Sequence, residues 1–191
     1  MALVKRRLAQ LTELLSIVLV VTLLNACATL SADEQQEKRT ELNEMSDKAI
    51  ATLLETRPET AELLEQCLGY AVIKMQITKI PVFGAGGGYG VVKDERTGIR
   101  SYIKVSRFEI GGGLGAQRYK VIIFFSDEKL LARAIAGTWH FDAGAEAAAG
   151  DETMEANVKK ADEGYRAFKI GESGAVATVT VRVARGKPYL D

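Results

Sequence analysis

The 191-residue chain holds one histidine and two cysteines. A closed zinc site takes about four ligands, so His and Cys are too few to build one, and no metal or cofactor is expected. Charge of one sign is also missing. Lys and Arg balance Asp and Glu at 25 each, which leaves no electrostatic footprint for nucleic acid. There is no G-x-S-x-G nucleophile elbow. "RGKP" at 185–188 has neither the Ser or Thr nor the upstream glycine of a phosphate-binding Walker loop. His140 and Asp142 would share a strand face and make half of a catalytic triad, but nothing places a serine near them. The reading is therefore of a protein that is not an enzyme, with His140 structural or at the surface.

One long apolar run is present, near the start. Lys5, Arg6 and Arg7 form a basic region ahead of "LLSIVLVVTLL" at 14–24, a run of secretory length and short for a bilayer span. It ends in "LNAC" at 24–27, which resembles a bacterial lipobox, with Asn25 where a small residue is usual. Three outcomes are open: cleavage before Cys27 with lipid attachment there, ordinary secretory cleavage, or an uncleaved anchor. Lipidation is the reading adopted, with acyl groups such as palmitate on Cys27. Several acyl chains hold a protein firmly at a membrane where one holds it marginally. Ala28 follows the cysteine in place of the aspartate that retains lipoproteins at the inner membrane, so the periplasmic face of the outer membrane is expected. Cys67 then has no partner and reads as a buried, inert thiol rather than a reactive one.

The expected organisation is a signal peptide over 1–26, a polar tether over 27–40 and a single domain over 41–191. Leu42, Met45, Ala49, Ile50, Leu53 and Leu54 recur at helical spacing. Pro58 suits the first turn of a second helix, Gly69 its end, and Ala61, Leu64 and Leu68 its inner face. These helices (41–68) carry many Glu and few Lys or Arg on the polar side, which favours packing on the domain over lying on a membrane. From 69 onward the composition is that of strands: "YAVIKMQI", a hairpin turning at 94–98, the apolar and central "RYKVIIFFS", and "TWHFDAGAEAAAG". "SDEKLLARAIAG" is a helix capped by Ser126 or Asp127 and closed by Gly137. "YRAFKI", the turn "GESG" and "AVATVTVRVA" read as a last hairpin. The fold class is α+β, with a strongly curved, mostly antiparallel sheet or barrel of six or more strands, N-terminal helices and one helix after the central strand.

Glycine is abundant and clustered. "FGAGGGYG" at 83–90 is echoed by "FEIGGGLG" at 108–115. Gly111, Gly113 and Ala116 match G-x-G-x-x-A, but a strand follows where a dinucleotide site needs a helix. Counted by twos, Gly86, Gly88 and Gly90 share a strand face, as do Gly111, Gly113 and Gly115. Glycine weakens a strand by about 0.5–1 kcal/mol relative to alanine, so a use must offset that. The use is a bend or bulge, or close approach of another group: a helix of the same chain, or a ligand such as an acyl chain in a glycine-lined groove. Separately, Arg100 and Lys104 share a face of one strand, and Arg118 and Lys120 a face of the next. If those strands pair in register, the four form a patch for lipid phosphate; otherwise they are a solvated face.

"CLGYAVIKMQITKI", "FGAGGGYGVVKDERTG", "FEIGGGLGAQRYKVIIFF" and "GTWHFDAGAEAAAG", in this order, resemble the SYLF-domain family, in particular its branch of secreted or lipidated bacterial envelope proteins. The resemblance runs from about residue 61 to the C-terminus. It implies a lipid-binding module and brings no catalytic motif. Eukaryotic members bind phosphoinositides, largely through an amphipathic N-terminal helix and basic residues, and some bind actin; here the helix is acidic. The expected function is that of a membrane-tethered envelope lipoprotein with a non-catalytic lipid-binding domain, its partners a membrane and phospholipid or another apolar ligand. The alternative is a structural or protein-interaction lipoprotein without a lipid ligand.

Overall fold

The computed structural model describes residues 30–110, 113–138, 140–148, 164–173 and 177–190, with side chains described at all of these except 109, 113, 140–148, 172–173 and 177–184. The expected leader, Cys27, Gly111, Trp139 and most of the polar connection before Gly164 lie outside the described residues. Two units meet between Gln36 and Glu37. In the first, the Ser31 backbone N–H donates to the Glu34 carboxylate (2.8 Å) and the Glu34 N–H donates to Ser31 Oγ (3.3 Å). This reciprocal capping box satisfies orphan donors of a helix start. Helix α1 accordingly spans Ala32–Thr56, beginning inside the stretch expected as a tether.

Within the second unit α1 buries Leu42, Ser46, Ala49, Ile50 and Leu53, the stripe set by helical spacing. Pro58 forces Arg57 out of helical geometry (φ −140°, ψ 74°). A 3₁₀ turn, Pro58–Thr60, then leads into the short α2, Ala61–Gln66. Two expectations change here. Ala61 is exposed, and Leu63 joins Leu64 on the inner side. Gly69 does not end the helix: Cys67 is already extended (ψ 151°), and Gly69 opens a strand where a β-carbon would lie 2.4 Å from the Lys93 carbonyl oxygen and 3.0 Å from Leu131 Cδ1.

Among the described residues seven strands follow: β1 Gly69–Ile80, β2 Phe83–Asp94, β3 Arg100–Ile110, β4 Gly113–Phe125, β5 His140–Ala148, β6 Tyr165–Ser173 and β7 Ala177–Pro188. They form one sheet, ordered β5-β7-β3-β2-β1-β4-β6, and every described pairing is antiparallel. The start of β7 also pairs with the start of β4, so β7, β3, β2, β1 and β4 make a closed circuit. The fold is the expected α+β with a strongly curved antiparallel sheet. Helix α3, Glu128–Ile135, is capped by Asp127, whose carboxylate accepts from the Leu130 N–H (2.8 Å), and Gly137 follows its end at φ 61°.

The last two strands are not a hairpin. Arg118–Phe125 of β4 pairs with β6, and Gly113 and Leu114 of the same strand pair with β7. The chain thus runs along one edge of β4, breaks its register at Arg118/Tyr119, and then continues beside β3, with Ile110 opposite Val181. Closing the sheet recruits β7 to β3, whose edge a hairpin with β6 would leave open.

The sheet separates two apolar cores. On its outer face Ala49, Ile50 and Leu53 of α1 pack on Tyr70, Val72, Ile122 and Phe124. On its inner face Ile73, Met75, Ile103, Val105, Ile123 and Phe125 meet Leu131 and Ala134 of α3. Residues 69–73 of β1 are buried on both faces; beyond them burial alternates out to Ile80, because α1 no longer covers the outer side.

Candidate functional site

The glycines of β2 stand opposite large apolar residues of β1: Gly86 opposite Ile77, Gly88 opposite Met75, Gly90 opposite Ile73. A β-carbon on Gly90 would lie 2.5 Å from the Val72 carbonyl oxygen, and one on Gly86 2.7 Å from the Ile77 Cα. The group that approaches these glycines is therefore strand β1 itself, its backbone and its inward side chains. Gly113 pairs with Thr178 at the closure of the circuit, and Gly115, at φ 140°, pairs with Lys79. Lys79 is only 2% exposed and is flanked in register by Gly84 and Gly115, which leave room for its long stem.

A cavity of about 100 Å³ lies on the inner face, lined by Ile73, Met75, Ile103, Val105, Val121, Ile123, Ala134 and Ala167, with Arg107, Gly137 and Gly186. Gly86, Gly88, Gly90 and Gly115 do not line it. Arg107 donates to the Tyr119 hydroxyl, and Lys169 Nζ sits 4.5 Å from the centre of the Tyr119 ring while donating to Gln117 (3.0 Å).

The four basic residues singled out from sequence do not form one patch by direct pairing of their strands, because β2 and β1 lie between β3 and β4. Arg100 is taken up by α1, donating to both Asp47 oxygens (2.6 and 3.3 Å). Lys104 and Lys120 do fall in one line. Across five strands the directly opposed residues read Lys187, Lys104, Tyr89, Lys74, Lys120. Two residues further along, the next line reads Arg185, Ser106, Gly87, Gln76, Arg118, with Arg118 Nε donating to Gln76 (3.4 Å). Lys104 Nζ lies 5.5 Å from the centre of the exposed Tyr89 ring. Like charges directly opposite one another weaken a sheet, and here Lys187 faces Lys104 and Lys74 faces Lys120. Sequence reasoning missed Lys74, Arg185 and Lys187. Lys74 was detectable, since it is the polar member of "VIKMQ", but its row depends on strand order.

Beyond these lines the outer face turns apolar. Ile80, Val82, Phe83, Phe108, Ile110 and Leu114 are all exposed around the β1–β2 turn and the passage from β3 to β4, and the Phe83 and Phe108 rings lie 6.4 Å apart. His140 opens β5 opposite Arg185. Cys67 is a free, half-buried thiol donating to the Leu64 carbonyl (3.3 Å), its pKa pushed up by burial. Among the described residues no group of three or more His, Cys, Asp or Glu could hold a metal ion, and no helix is long and apolar enough to cross a membrane.

Fold and site together define an α+β domain whose curved sheet carries two basic lines and an apolar end on one face. No family model matches the chain. It is similar to Beta cell expansion factor A of Aeromonas veronii, with 25% identity over 162 residues, 85% of this chain and 60% of that protein. The chain thus spans less than two thirds of the length of that curated relative.

Proposed function

We propose that this chain is a lipid-anchored protein of the bacterial cell envelope whose SYLF-like domain binds anionic lipid surfaces without catalysis. The anchor is Cys27, exposed by removal of residues 1–26, and the location is the periplasmic face of the outer membrane. The observation that carries the lipid reading is the line Lys187–Lys104–Tyr89–Lys74–Lys120. Two opposed lysine pairs cost the isolated sheet stability, and a layer of lipid phosphates offsets that cost. Each Lys or Arg close to an anionic membrane contributes about 1 kcal/mol. The segments that resemble the SYLF-domain family support the SYLF-like part of this reading.

Every described element lies within residues 28–191, so a chain lacking the first 27 residues holds the whole described fold. Co-sedimentation of that chain with vesicles tests the lipid reading. Binding to vesicles containing phosphatidylglycerol, and much weaker binding to phosphatidylcholine alone, is expected. Equal absence of binding to both would leave the reading of a structural or protein-interaction lipoprotein. Mass spectrometry of the mature N-terminal peptide tests the anchor: an unmodified Cys27, or a different first residue, would refute it.

A further inference from the structure

We infer that the apolar end of the sheet is a membrane-penetrating edge, and that the domain meets an anionic bilayer end-on, with the β1–β2 turn foremost. The inference rests on the lipid reading above and adds to it which part enters the bilayer and how far. Val82, Ile110 and Leu114 are 70%, 68% and 66% exposed, and Ile80, Phe83 and Phe108 join them. Scattered apolar residues on a surface are ordinary; a contiguous group at one end marks a contact site. Ile99, exposed at the other end of the sheet in the β2–β3 turn, has no such company.

The pairing fixes the order of layers. Ile80, Phe83 and Ile110 stand in one line, and Thr78, Ala85, Phe108 and Ala116 in the next. The arginine line and then the lysine line follow. Successive lines on one face are two residues, about 7 Å, apart. The apolar layer from the Ile80 line to the Phe108 line therefore measures about 7 Å, with Val82 beyond it. Interfacial elements bury their apolar side about 5–10 Å deep. With the apolar layer at that depth, Arg118 and Arg185 reach phosphate level and the four lysines lie just above, within the field of the surface.

Charge selects the occupant. In these four lines, β7, β3, β2, β1 and β4 carry six cations and no Asp or Glu; β5, outside β7, places Asp142 opposite Val183. A second copy docking end to end would bring two such cation sets together, and a neutral apolar partner would leave them unused. An anionic bilayer satisfies both the apolar end and the cations behind it.

Residues 28–191 carrying Cys67→Ser, with a single nitrobenzoxadiazole label at Val82→Cys or, in the opposite turn, at Thr97→Cys, test this. With vesicles of phosphatidylcholine and phosphatidylglycerol, the label at 82 shifts to the blue and is quenched by nitroxides on the acyl chains; the label at 97 does neither. Val82→Asp combined with Phe83→Asp, with an unchanged circular dichroism spectrum, weakens binding by tenfold or more. If both labels stay in water while the protein still co-sediments, end-on penetration is overturned and the lipid reading stands. If no variant, wild type included, co-sediments, both fall. Concentration-dependent dimers that shield position 82 without vesicles would also overturn the inference.

Discussion

Gly90 stands directly opposite Ile73, and a β-carbon there would lie 2.5 Å from the Val72 carbonyl oxygen and 2.9 Å from Ile73 Cγ1. Ile73 borders the inner cavity, but the Val72 carbonyl is backbone, held between β2 and β4 by pairing with Val91 and Ile122, and cannot give way. Gly90→Ala is expected to destabilise the domain by about 1–3 kcal/mol through overpacking. For a domain of this size that lowers the melting temperature by about 2–12 °C. Gly171→Ala is the control, because nothing lies within 4 Å of its added methyl group. Equal melting temperatures for the two variants would contradict the account of the glycine stripe.

Arg100 and Lys104 lie on one strand face but in different surroundings. Arg100 is bonded to Asp47 of α1, whereas Lys104 is exposed and belongs to the lysine line. Arg100→Gln is expected to leave vesicle affinity within about twofold of wild type and to cost stability at the low end typical of partly exposed ion pairs, about 0–1 kcal/mol. Lys104→Gln is expected to weaken binding about fivefold, the equivalent of about 1 kcal/mol. Titration of each variant with anionic vesicles separates the two roles.

Acid should weaken the β2–β3 turn. The Asp94 carboxylate accepts from Arg96 Nε (3.1 Å) and Nη2 (3.0 Å) and from the Arg96 backbone N–H (2.9 Å), and these bonds hold its pKa below the usual carboxylate value. A depressed folded-state pKa contributes stability that is fully present above the unfolded value, about 3.9, and is lost as pH falls through the folded value. Urea midpoints measured from neutral pH downward should therefore fall more steeply at the acid end for wild type than for Asp94→Asn.

Cys67 should react slowly. Burial raises its pKa above that of an ordinary cysteine, so less thiolate is present at neutral pH. Its rate with a maleimide at pH 7 should lie below that of glutathione and rise with pH through a midpoint higher than glutathione's. A midpoint below that of glutathione would contradict the burial account.

Local features were legible in the sequence. The spacing of Leu42, Ala49, Ile50 and Leu53 places the buried stripe of α1, and Asp127 and Gly137 bound α3 as their chemistry requires. The capping box at Ser31 and Glu34 was equally readable, yet the polar composition of 31–40 hid the helix start. Gly69 misled because glycine serves both helix ends and close strand packing, and only the close approach of the Lys93 carbonyl and the Leu131 side chain separates the two. Strand order was not legible. β3 and β4 adjoin in sequence but are separated in space by β2 and β1, so the line that joins Lys104 to Lys120 passes through Tyr89 and Lys74. Likewise "GESG" has turn composition, but sheet closure sends β6 to β4 and β7 to β3.

The central claim is that the lysine line binds anionic lipid. The most direct measurement compares residues 28–191 with the variant Lys74→Gln/Lys104→Gln/Lys187→Gln in affinity for vesicles containing phosphatidylglycerol. At about 1 kcal/mol per cation the account predicts a loss of about 100-fold, shrinking as salt rises toward about 1 M and screening takes over. A folded variant that binds as tightly as wild type at low salt would contradict it.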